Sequence, residues 1–286
     1  MSKPNLSVML FPFHAALNEG TLDPGQFAEK LHTAGITGLE PMPLLRQDQP
    51  NWWEALYRSA TDLGMECACA DVCLNLIGET EAKRRDALDR VAWGVEWCVK
   101  HNCRIALHAG SLPPEGMSCE EGRKALAGLL ARAAAEAEGS GVTLTIEDYG
   151  MDPRFACSVH HVLQVLEDTG RPDVKLTFDN GNFLYADEKP TTCFPLVKDR
   201  IVHVHFKDVV TIDDPSSTGL RSLSGKRLAG APIGAGEGEV AECIWLIKAN
   251  DYTGWASLEV CVAPPLPETI RAAEYLREVW SSSRDA

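Results

Sequence analysis

Eight times along the chain, a short run rich in Val, Ile and Leu is followed by a longer stretch of helical character. The strand-like runs fall at 6–11, 36–40, 66–71, 104–108, 143–147, 174–179, 201–206 and 255–259. The helical stretches fall at 23–34, 52–63, 80–101, 119–140, 156–169, 192–197, 240–250 and 267–282, with Pro267 suited to a first helical turn. Eight strands alternating with eight helices is the count of a (β/α)8 TIM barrel, an α/β fold. A doubly wound sheet also alternates, but it usually needs fewer units, and no GxGxxG follows the first strand. The 286 residues therefore read as a single domain, 1–286, able to bury a large core without staples. One connection is unusual. Residues from 208 to about 239 carry Ser, Gly and Pro throughout and read as a long loop or flap, a kind of segment that is usually functional or mobile.

Charge narrows the partners. The 27 basic and 41 acidic residues give a net charge of −14, and no Lys/Arg cluster stands out. Such a surface repels polyanions, so nucleic acid is excluded as an expected partner. No apolar run is long enough for a membrane span, and the N-terminus has no signal-peptide pattern, so a cytoplasmic location is expected. Among the ten cysteines, Cys67 and Cys69 share one face of an apparent strand, which would allow a soft-metal site. The preferred reading is that free cysteines pack as small buried hydrophobes.

The chemistry is concentrated where strands end. The fifth strand ends in Glu147 (LTIEDYG), the sixth in Asp179 (LTFDNGN), the seventh in His205 (VHVHFKD) and the eighth in Glu259 (ASLEV). In a parallel barrel these ends converge at one mouth, where active sites are built. Any one of the acids could instead cap a following helix. Capping alone does not account for four consecutive strands, and histidine is a poor N-cap. Three carboxylates brought together repel one another unless a cation or protons neutralise them, and a divalent metal on Glu147, Asp179, His205 and Glu259 is the simplest resolution.

The segments IEDYG, FDNGNF, HVHFKD, GAGEGEV and LEV resemble those of the xylose-isomerase-like TIM-barrel superfamily of sugar phosphate isomerases and epimerases, which includes the AP endonuclease family 2 proteins. The likeness runs over nearly the whole chain, including the Gly35-x-x-Gly38-x-Glu40 turn. The intervals from 147 to 179 and from 179 to 205, 32 and 26 residues, fit it; that from 205 to 259, 54 residues, is longer. The resemblance implies one divalent ion (Mn, Mg, Co or Zn) on the four residues and a small sugar or polyol substrate. It implies an isomerase or epimerase of a sugar, polyol or hydroxy-keto acid, working by proton transfer through a metal-bound enediolate. Glu147 and Glu259 would face each other as catalytic acid and base. A dehydratase of a polyol or keto-inositol using the same metal is the alternative, and a sugar-binding barrel without turnover a third. Relatives are often homodimers. The endonucleases' three-zinc cluster needs histidines that this chain lacks: position 182 is Asn, and the third strand offers Cys69 and Asp71.

Further substrate contacts are expected from His108 at the end of the fourth strand, in LHAGS, and from Lys207, two residues beyond His205 on the same strand face. Asn182, which can hydrogen-bond a hydroxyl but cannot shuttle a proton, is another, with Glu40 and His14 at the ends of the second and first strands. His203 shares the His205 face one step deeper and reads as a core residue or a group supporting the ligands. Trp52 and Trp53 would cover the mouth or, more simply, pack.

Overall fold

The computed structural model describes residues 4–13, 16, 21–45, 50–214 and 219–282. The alternation folds into a ring of parallel strands, as the sequence predicts. These are β1 (Asn5–Met9), β2 (Gly38–Glu40), β3 (Glu66–Cys67), β4 (Ala70–Asp71), β5 (Ile105–Leu107), β6 (Thr143–Glu147), β7 (Lys175–Asp179) and β8 (Ile201–Phe206). After a separate small sheet, β9 (Val209–Thr211), β10 (Leu220–Arg221) and β11 (Arg227–Gly230), the last barrel strand is β12 (Trp255–Leu258). The order around the main sheet is β3-β2-β1-β12-β8-β7-β6-β5-β4. Its two ends, β3 and β4, are successive pieces of one stave, expected from sequence as the single strand 66–71. On one side of that stave the Ala68 N–H donates to the Leu39 carbonyl at 2.8 Å, and on the other the Val72 N–H donates to the Leu107 carbonyl at 2.8 Å. The ring therefore closes. The staves, counted in chain order, are eight.

The helices are α1 (Pro24–Thr33), α2 (Pro50–Asp62), α3 (Glu81–Lys100), α4 (Cys119–Glu136), α5 (Val159–Asp168), α6 (Pro190–Val197), α7 (Val240–Ala249) and α8 (Pro265–Ser281). Their starts are fixed by local chemistry. Asp23, Thr80 and Ser158 each cap a helix by accepting from a first-turn N–H, and Ser118 with Glu121 forms a reciprocal capping box on α4. One apolar layer lies between helices and staves, where Phe27, Leu31, Leu56, Val91, Leu130, Val162, Ile244 and Leu276 are almost wholly buried. Close approach is built in at Gly38, where a Cβ would sit 2.7 Å from both the Ser7 Cβ and the Trp255 ring. Inside the ring the filling is unusually polar, with Ser7, Thr145, Thr177, His203 and Ser257 at 0% exposure. The Thr145 and Thr177 hydroxyls bond each other at 2.8 Å.

The long seventh connection is a small antiparallel sheet in the order β10-β11-β9, with Leu228 paired to both Thr211 and Leu220. Asp208 ties the turn that follows. It is 2% exposed, and its carboxylate accepts from the N–H groups of Gly234 (2.9 Å), Gly236 (2.9 Å), Gly238 (2.8 Å) and its neighbour Val209 (3.0 Å). Asn180, just past β7, donates to the Gly238 carbonyl at 2.6 Å and accepts from the Lys207 N–H at 3.0 Å. Among the described residues no helix is long and apolar enough to cross a membrane.

Candidate metal centre

Strand register decides which side chains meet at the mouth. Asp179 lies directly opposite His205 in the β7–β8 pair, and Glu259 follows β12 with its N–H bonded to the Phe206 carbonyl at 3.0 Å. Glu147 ends β6. The ligand atoms of Glu147, Asp179, His205 and Glu259 all lie within 4.8 Å of one another. All four residues are buried, from 0% exposed at Asp179 and His205 to 8% at Glu147. The His205 Nδ1 is 3.5 Å from Glu259 Oε2 and 3.7 Å from Glu147 Oε2. It is buried and has no hydrogen-bond partner among the described residues. A ring nitrogen turned towards three carboxylates, with its own lone-pair position unanswered, suits a divalent cation of borderline hardness.

The other nitrogen of the same ring explains why it faces that way. His205 Nε2 bonds Glu40 Oε1 at 2.8 Å, while His203 Nε2 bonds Glu40 Oε2 at 3.0 Å. His203 and His205 point to the same face because they are two residues apart on a strand. Glu40, fully buried, spans both. A carboxylate behind a ligating imidazole sets its tautomer and orientation. Glu40 was expected as a substrate contact. It lies instead beneath the centre, on the far side of His205, because the end of β2 comes level with the imidazoles inside the ring.

Lys207 reaches into the cluster. Its Nζ lies 2.5 Å from Glu259 Oε1, 3.1 Å from Asp179 Oδ2 and 3.2 Å from Asn182 Oδ1. Asn182 also donates its N–H to Asp179 Oδ1 at 3.3 Å. The protonation balance follows from these contacts. Burial pushes the Glu147 carboxyl up to about 7, against the pull of His205. Burial likewise raises Asp179 to about 6 despite Lys207. Glu259 is also desolvated, but Lys207 and His205 outweigh that and hold it at about 2. Burial disfavours charge on Lys207, yet Asp179 and Glu259 keep the ammonium well above its ordinary value. A divalent ion among the carboxylates would lower all of them further.

A cavity of about 370 Å³ opens above this floor, lined by Glu147, Asn182, Lys207 and Glu259 among others. His108 is not on its wall. It is 6% exposed beside the mouth, neither ring nitrogen has a partner among the described residues, and burial lowers its pKa to about 4. His14 lies outside the described residues. Trp53 is 6% exposed, and the Trp52 indole donates to the Leu22 carbonyl at 2.9 Å; both pack rather than line the cavity. Of the paired cysteines, Cys69 lies within 4.8 Å of Glu40 and Asp71, whereas the Cys67 thiol donates to the Cys69 carbonyl at 3.7 Å.

Sequence reasoning missed three supports: the Glu40 bridge, the Asp208 loop anchor and the Asn180 clamp. A signal existed for the first, in two inward histidines at i and i+2, but nothing in the sequence said that Glu40 would stand opposite them. For the second, an Asp at a strand end followed by a glycine-rich GAGEGE run is the trace of a backbone-binding carboxylate.

Comparison with known proteins agrees with the fold. A family model described as xylose isomerase-like TIM barrel matches residues 28–279. The inosose dehydratase of Clostridium botulinum (strain Eklund 17B / Type B) is 34% identical over 113 residues, 37% of this chain and 38% of that protein. The match therefore takes in well under half of that relative's length. Among solved structures, the probable 3-DHS dehydratase AsbF of Bacillus anthracis superposes with a TM-score of 0.74 at 15% identity, covering 95% of this chain and 98% of that one. The IolI protein, solved with a binding zinc atom, gives 0.73 at 14% identity, covering 97% and 98%.

Proposed function

Because the chain belongs to the xylose isomerase-like TIM-barrel family, we propose that it is a divalent-metal-dependent enzyme that dehydrates a small polyhydroxylated ketone of the sugar or polyol class. Glu147, Asp179, His205 and Glu259 would hold the ion. When bound, such an ion supplies positive charge where a carbonyl becomes an enediolate.

The carrying observation is that the two glutamates are not equivalent. Glu259 is fastened by Lys207 at 2.5 Å, whereas the ion pair Glu147 makes is the longer one, 3.7 Å from His205. Two bases working on opposite faces, as direct epimerisation requires, would need similar freedom and similar proton affinity. Here one carboxylate is tied to an ammonium and the other is not, which makes Glu147 the better candidate for moving a proton. In this reading Glu147 takes the proton from the carbon beside the carbonyl. The C–O bond to the β-hydroxyl then breaks, the electron pair of the former C–H bond forms the new double bond, and Glu147 returns its proton to the departing oxygen. Water leaves, and no oxidant or reductant is needed. Lys207 and Asn182 would orient the hydroxyls beside Glu259, and the buried position of the centre limits competing solvent. The dehydratase names of the relative and of one structural neighbour support the same outcome.

Isomerisation, put first on sequence grounds, remains the second reading. A single carboxylate on the cavity wall, as at Glu147, also suits transfer between adjacent carbons. The test is to incubate metal-loaded protein with an inosose in D₂O and follow it by proton NMR and ultraviolet absorbance. Loss of water with a new conjugated carbonyl supports dehydration. Deuterium incorporation without loss of water moves the assignment to isomerisation. If neither occurs with any inosose or keto-sugar offered, the enzymatic reading fails.

A further inference from the structure

The cavity above the metal centre is divided in two. On the side built by the fifth to eighth staves, Glu147, Asn182, Lys207 and Glu259 present charge and hydrogen bonds at the floor, with Tyr149, Met151, Tyr185, Leu220 and Cys261 around them. On the side built by the first to fourth, the described lining is Met9, Phe11, Met42, Cys73, Ala109 and Gly110, which offers no charged side chain. The first and fifth staves stand diametrically opposed in the ring. Each sends one large apolar residue past its end onto the rim: Phe11 is 51% exposed and Met151 is 53% exposed. Both line the same cavity. Exposed apolar side chains lining one concave site mark a place where an apolar group is buried on binding. A sugar hydroxylated all round would leave hydroxyls against Met9, Met42 and Cys73 without partners, which costs binding energy.

Resting on the reading above, we infer that the ligand of this site is amphipathic: a polyhydroxylated ring that meets the metal centre, carrying an aryl or alkyl substituent held between Phe11 and Met151. Methionine suits this task because its flexible thioether adapts to differing shapes, so the rim selects for an apolar substituent without fixing its outline. The metal centre and the rim are separable, since neither Phe11 nor Met151 belongs to the candidate ligand set.

The experiment uses the full chain loaded with Mn²⁺ and two neutral probes, methyl β-D-glucopyranoside and phenyl β-D-glucopyranoside, titrated by calorimetry. The phenyl compound is expected to bind about tenfold more tightly, as roughly 60 Å² of apolar surface leaving water would give. The double substitution Phe11→Ser with Met151→Ser should abolish that gain and leave metal content per chain unchanged, since both side chains are half exposed. Equal affinities, a gain that survives in the double variant, or no binding of either probe would each overturn the inference. Metal content measured on the same samples separates the two failures. A chain that binds no Mn²⁺ defeats the metal-dependent reading itself, whereas a metal-loaded chain without phenyl preference defeats only the amphipathic ligand.

Discussion

Glu40 holds two imidazoles with one carboxylate, so replacing it by Gln keeps its size while removing the charge both rings rely on. Glu40→Gln is expected to weaken metal binding by roughly 10- to 100-fold, the usual cost of losing a group behind a ligating histidine. Competition with a fluorescent chelator measures it, and unchanged affinity would mean that Glu40 serves packing alone. Glu147→Gln should retain the fold, read by circular dichroism, and lower turnover by at least about 100-fold. His108 makes a separate prediction about stability. Burial lowers its pKa in the folded chain to about 4, below the unfolded value of about 6.5. The unfolded chain therefore takes up a proton first as the pH falls. Stability is complete above about 6.5 and declines towards 4, by an amount on the order of 3 kcal/mol. His108→Gln should flatten that part of the pH profile in urea titrations; a parallel profile would show that other groups control it. At this scale the sequence revealed residue types better than roles. Glu40 and Glu259 look alike as strand-end acids, and only the inward packing of the second stave sends one behind the imidazole.

Elements were more legible. A strand's end is marked by where an apolar run stops, and in a parallel barrel that point is also where the chemistry lies, so Glu147, Asp179, His205 and Glu259 could be read together. The third stave was harder, because its hydrogen bonds pass from β2 on one side to β5 on the other through a break that local composition does not encode. The seventh connection was harder still. Its glycines and serines read as irregular, yet three short strands form there through pairing that depends on partners distant in sequence. Asp208 makes this region testable. Asp208→Ala removes the acceptor of three glycine N–H groups and should cost roughly 2–4 kcal/mol in stability. Hydrogen exchange at Gly234, Gly236 and Gly238 should accelerate ahead of the barrel strands; protection as in the parent chain would rule out Asp208 as their anchor.

For the molecule as a whole, eightfold alternation was sufficient to identify the barrel, because few arrangements can bury that many parallel strands on both faces. Chelation should lower the melting temperature, and each divalent ion added back should raise it in proportion to its affinity. An indifferent melting curve would argue against the four-residue centre. The arrangement of that centre also has a consequence for biosynthesis. Its candidate ligands come from the last four staves, and the ring closes only when β12, beginning at Trp255, pairs with β1, beginning at Asn5. A ribosome delivers residues in order, so a growing chain holds three ligands long before Glu259 emerges. An ion held by all four would therefore be bound only after the tunnel has released the strand that carries Glu259.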